Sequence, residues 1–196
     1  MKILLRLSGL IDGLNERVGR LTYWLILVMV LVSAGNASVR YIFDRSSNAW
    51  LEIQWYLFSA VFLLGAGYTL LHNQHVRIDV VTSHLSKRGR AWIDIFGALF
   101  FLLPMAIAIM WMSWPVFVQA WDLNEFSSSA GGLIVWPARL MVPVGFFLLI
   151  LQGFSELIKR IAFLLGLIPD PSEKDEGPSA EVQLAEALRK ERGDLA

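Results

Sequence analysis

Apolar residues run almost unbroken through four stretches, roughly 21–43, 50–71, 92–120 and 133–168, and polar residues gather between and beyond them. Each stretch reaches or exceeds the ~20 residues a helix needs to cross ~30 Å of hydrocarbon. A bilayer offers no water to unpaired backbone groups, so spans of this kind are helical. The pattern predicts an all-α integral membrane protein with four transmembrane helices. Ahead of them Ile3, Leu4, Leu7, Leu10, Ile11, Leu14 and Val18 recur at helical spacing, with Lys2, Arg6, Asp12 and Arg17 over much of the other face. This predicts an N-terminal interfacial amphipathic helix over residues 1–20, lying among headgroups or packed on another subunit. A cleaved signal sequence would start earlier and be shorter. The membrane domain then covers 21–168. From Pro169 the chain becomes a charged tail, 169–196, whose residues 179–192 form either a short helix or none.

The cations between the apolar stretches alternate. Lys2, Arg6, Arg17 and Arg20 precede the first span, and only Arg40 and Arg45 follow it. Arg77, Lys87, Arg88 and Arg90 occupy the second loop. The third loop has Asp122 and Glu125 but no cation, and Lys159 and Arg160 close the fourth stretch. Retention of cations on the cytoplasmic side gives an in–out–in–out–in path with both termini cytoplasmic.

Composition supports a membrane protein and narrows the chemistry. Hydrophobic residues make up 56% and charged residues 17%, against about 25% charge in soluble domains. Net charge is zero, so no basic surface points to nucleic acid. The absence of cysteine removes disulfides, thiolate metal sites and thiol redox chemistry. Trp24, Trp50, Trp55, Trp92, Trp121 and Trp136 lie near span ends, where aromatic belts form. Trp111 and Trp114 lie deeper and are expected against a neighbour.

Chemical machinery is sparse. His72, His75 and His84 all fall in or beside one polar loop, and no second span offers the facing histidine a membrane haem requires. His72 and His75 have helical metal spacing but only Asp79 as a further ligand. The sequence implies no cofactor, no metal and no enzyme. Ionisable residues inside spans are functional candidates; here they are Glu52, Asp94 and Arg139, all near span ends. Arg139 either snorkels outward or pairs with Glu52, Asp122 or Glu125. Gly65 and Gly67 in the second span predict close approach of a partner helix. Pro104 and Pro115 predict a bend in the third span. Residues 127–132, Ser-Ser-Ser-Ala-Gly-Gly, read as a flexible outer loop rather than a phosphate cradle.

The run Trp50-Leu51-Glu52-Ile53-Gln54-Trp55-Tyr56-Leu57-Phe58, then Phe62-Leu63-Leu64-Gly65-Ala66-Gly67 and His75-Val76-Arg77-Ile78-Asp79-Val80, resembles the small membrane subunit of the TRAP (tripartite ATP-independent periplasmic) transporters. Val142-Pro143-Val144-Gly145-Phe146-Phe147 and Gln152-Gly153 fit the same pattern. The resemblance covers roughly residues 20–160 and rests on order and spacing more than on any single motif. It implies a small scaffold subunit of a sodium-coupled, binding-protein-dependent secondary transporter importing organic acid anions across a bacterial or archaeal inner membrane. Its partners would be a large multi-span permease subunit, which it braces, a periplasmic substrate-binding protein and lipid. Glu52, Gly65, His75, Arg77, Asp79, Pro143 and Gly145 match family positions; with Gly67 and Arg139 they are the candidate interface or structural residues. The long tail and Trp136-Pro137-Ala138-Arg139 depart from the shorter members. A stand-alone small carrier and the membrane anchor of a redox enzyme are the competing readings.

Overall fold

A computed structural model of the chain describes residues 1–44, 47–73 and 86–171. His75, Arg77, Asp79 and His84 lie outside the described residues, as does the tail from 172. Among the described residues five α-helices follow in order: α1 Lys2–Phe43, α2 Asn48–Leu71, α3 Lys87–Gly97, α4 Leu103–Asp122 and α5 Trp136–Leu164. A π turn, Ala98–Leu102, joins α3 to α4 without a break. Among the described residues four helices are therefore long and apolar enough to cross a membrane: α1, α2, α3–α4 as one rod, and α5.

The N-terminal segment is helical, as its spacing predicts, but it forms the first turns of α1 rather than a separate in-plane element. No helix breaker separates the two parts, and Gly19 and Thr22, where a turn would be needed, are buried. The ring of Tyr68 on α2 occupies the space beside Gly19. The orientation of α1 departs from the amphipathic reading in part: Ser8 and Asn15 are buried beside Ile11, whereas Leu7 and Leu10 are exposed.

The third span answers its prolines locally. Pro104 has no N–H and its ring crowds the carbonyl four residues back. The chain widens one turn just ahead of it, and the Leu103 N–H bonds the Ala98 carbonyl five residues earlier. Such a π turn relieves the clash without ending the helix. Pro115 and Pro143 sit inside α4 and α5, which run through both.

The core is centred on α5, against which α1, α2, α3 and α4 all pack. It supplies the largest set of buried residues, among them Pro143, Gly145, Leu148, Gln152, Ser155 and Arg160. Leu103 and Ala106 of α4 meet Ile150 in the main apolar cluster. Trp111 and Trp114 are exposed and line a groove with Pro115 and Pro143; within the chain they do not pack into the core.

Candidate functional site

Polar side chains collect at the two ends of the helical array. The hairpin end lies where α2 begins and the 123–135 connection turns back. The terminal end lies where α1 begins and α5 finishes.

At the hairpin end the connection is a narrow reversal closed by an antiparallel bridge between Phe126 and Ile134. The Ser127 N–H donates to the Leu133 carbonyl at 2.9 Å and the Val135 N–H to the Glu125 carbonyl at 2.9 Å. Three residues of α2 one turn apart hold it from below. Asn48 Nδ2 donates to the Ala130 carbonyl at 3.0 Å, and the Tyr56 hydroxyl to the Ile134 carbonyl at 3.1 Å. Between them Glu52 accepts from the Leu133 N–H at 2.7 Å and from the Ser127 hydroxyl. Positions i, i+4 and i+8 share one helix face, which places all three side chains under the loop. Gly132 makes the approach possible, since a Cβ there would lie 2.6 Å from Ser127 Cβ and 2.9 Å from Glu52 Oε1. Beside this, Arg139 holds Glu125 with two bonds of 2.5 and 2.7 Å. This planar fork is the strongest common form of carboxylate pairing.

These contacts correct one expectation: residues 127–132 are pinned by α2 rather than a free loop. Glu52, a candidate interface or structural residue, is a buried acceptor under that loop. Of the partners open to Arg139, the structure selects Glu125. Replacing Glu52 with alanine is expected to speed hydrogen exchange at the Leu133 amide by about tenfold, because that donor loses its only charged acceptor. Glu52→Gln should lie between the two. Exchange measured by mass spectrometry checks it, and unchanged protection would mean the bridge holds the loop without Glu52.

At the terminal end a network joins α1 to α5 in antiparallel register. The Ser8 and Ser155 hydroxyls meet at 2.7 Å. Gln152 is the central donor: its Nε2 reaches Asp12 Oδ1 at 2.9 Å and Glu156 Oε1 at 3.2 Å, while its Oε1 accepts from Asn15 Nδ2 at 2.9 Å. Lys159 neutralises both carboxylates, 3.2 Å from Asp12 and 2.5 Å from Glu156. Arg160, almost wholly buried, spans Asp94 of α3 at 3.2 Å and Asp170 beyond α5 at 3.4 Å. Glu16 bonds His72 Nε2 at 2.8 Å and Arg20 at 3.0 Å, which ties α1 to the end of α2.

Of the candidate glycines, Gly67 and Gly145 allow close helix approach and Gly65 does not. Gly145 faces Leu63 of α2, and Gly67 faces Asn15, whose Oδ1 is buried without a hydrogen-bond donor among the described residues. Gly65, by contrast, has open space where its side chain would be; inside the chain it is not a packing point. Pro143, two residues before Gly145, is fully buried.

The i, i+3 spacing of Glu156 and Lys159 predicts their ion pair, which forms, but the other network residues, Ser8, Asp12, Asn15, Gln152 and Ser155, are not among the sequence's site candidates. A polar face on an amphipathic helix is normally read as the wet face. The available signal was that Ser8, Asp12 and Asn15 repeat at i, i+4 and i+7, matched by Gln152, Ser155 and Lys159. Among the described residues no three histidine, aspartate or glutamate side chains converge as a metal site. The arrangement positions helices: it holds charges in pairs at both ends and leaves an apolar middle.

Residues 29–163, well over half of the chain, match the family described as Tripartite ATP-independent periplasmic transporters, DctQ component. No curated protein and no solved structure matches the chain.

Proposed function

The chain belongs to the DctQ component family of the tripartite ATP-independent periplasmic transporters, and from that membership we propose that it is the small scaffold subunit of a sodium-coupled importer of organic acid anions. In this reading it braces a large multi-span permease subunit, and a periplasmic binding protein delivers the substrate. The chain lies in the inner membrane with its terminal end and charged tail in the cytoplasm.

The observation that supports bracing is the pairing of charges at both ends. Glu52 and Arg139 at one end, and Asp12, Glu156, Lys159 and Arg160 at the other, are all bonded within the chain. Groups spent on holding helices in register suit a part that stays still while another moves. A family of transporter components gives no reason to expect catalysis, and the competing carrier and redox-anchor readings gain nothing from this geometry.

Purification in mild detergent from native membranes tests it. The chain should bring down a large permease in fixed ratio, and uptake in liposomes should need both subunits, the binding protein and a sodium gradient. Recovery of the chain alone, or uptake by it alone, would overturn the reading. A sharper test uses Gly65. Because no other described part of the chain lies within 4 Å of a Cβ there, Gly65→Leu should leave thermal unfolding of the isolated chain unchanged. If Gly65 seats a permease helix, as small residues do in bilayers, co-purified permease should fall severalfold. Full recovery would make Gly65 a lipid contact.

A further inference from the structure

The first helix carries a second stripe that no other described part of the chain covers. In its N-terminal half Ile3, Leu7, Leu10 and Leu14 are exposed, Ile3 at 81% and Leu10 at 73%. In its later half Leu21, Trp24, Val28 and Leu31 continue the series, again exposed. Successive members alternate four and three residues apart, with Arg17 in the one polar place. This is the 3.5-residue repeat of a seam that packs knobs into holes against another helix. It lies roughly a third of a turn away from the buried face of Ser8, Asn15 and Thr22.

Lipid is a poor cover for a stripe of this length. From Ile3 to Leu31 it runs about 42 Å along the axis at 1.5 Å per residue, against ~30 Å of hydrocarbon. Acyl chains would reach both ends only if α1 leaned about 45°, beyond the range of tilts in known spans. The stripe also carries charge. Arg17 lies in it and Arg6 on its flank; both are exposed, and neither makes an ion pair with a described residue. An unpaired guanidinium within an apolar seam calls for a carboxylate on what covers it.

We propose that this stripe seats a long helix of the large membrane subunit, one with apolar residues at a matching 3.5-residue repeat and a carboxylate opposite Arg17. The inference rests on the scaffold-subunit reading and adds the surface and the chemistry of its partner.

A photo-crosslinking residue placed at Leu10, and separately at Gly9, tests it in the full complex in native membranes. Gly9 is exposed, has nothing within 4 Å of its Cβ and points about 100° away from Leu10. The expected result is an adduct from Leu10 on a membrane helix of the large subunit and little from Gly9. In a second measurement, Arg17→Glu should reduce co-purified large subunit about tenfold, as loss of a complementary interfacial charge does, with Arg17→Lys close to wild type. Equal adducts from both positions, an adduct on a second copy of this chain, or lipid adducts alone would overturn the inference. If the unaltered chain brings down no large subunit, the scaffold reading itself fails. If it does so but Leu10 labels nothing on it, only the seam is wrong.

Discussion

Replacing Gly145 with leucine is expected to force α2 off α5 and destroy the assembled fold. A Cβ at position 145 would lie 2.7 Å from Leu63 Cβ, 2.7 Å from the Leu63 carbonyl oxygen and 2.9 Å from its carbon. Two of these atoms are backbone, so no side-chain rotation relieves the overlap. Inserting extra methylenes into packed interiors costs about 1–3 kcal/mol even where neighbours can adjust. Here the adjustment must move a whole helix. In lipid the loss is compounded, because close packing rather than hydrophobic burial holds helices together. Gly145→Ala should lower the unfolding midpoint in detergent, and Gly145→Leu should give protein that elutes as aggregate. Monodisperse Gly145→Leu with a normal midpoint would mean that the helices pass farther apart than described.

The second large effect is expected at Arg160. Its side chain is 4% exposed and lies between those of Asp94 and Asp170, which are 25% and 9% exposed. Arg160→Met keeps much of the volume and removes the charge. Breaking a buried pair from one side typically costs about 3–5 kcal/mol, because the remaining carboxylates stay desolvated. At about 2–4 °C per kcal/mol for a chain of this size, the unfolding midpoint should fall by roughly 10 °C. Adding Asp94→Leu to Arg160→Met should recover part of the loss. If the double variant is no better than the single one, the cost lies in packing rather than charge.

The spans were legible because a bilayer forces long apolar runs, and nothing in the fold opposes that demand. The pairing of Arg139 was legible as a short set of choices, and the structure selects Glu125, fourteen residues back across the reversal. The terminal network was hidden for the opposite reason. Ser8, Asp12 and Gln152 look wet in one dimension, and only the antiparallel register of α1 and α5 turns them toward each other. Gly65 and Gly67 show the same limit on a smaller scale. They are two residues apart in one apolar run, yet Gly67 faces Asn15 and Gly65 faces away. Glu52 was legible as a charge at a span end. What covers it was not, since one of its two donors is the Leu133 backbone N–H, which almost any residue there would supply.

The π turn at Ala98–Leu102 also sets the rotational phase of the third span. It holds one residue more than the α turn it replaces, so the two halves of the rod are out of step with an ordinary helix. Removing one residue from this turn would rotate α3 relative to α4 by about 100° and draw it in by about 1.5 Å. Asp94 would swing away from Arg160, while Leu103 and Ala106 kept their places against Ile150. The extra residue thus acts as a spacer. It lets the apolar half of the span be fitted to the core while the charged half is aimed, independently, at its ion pair.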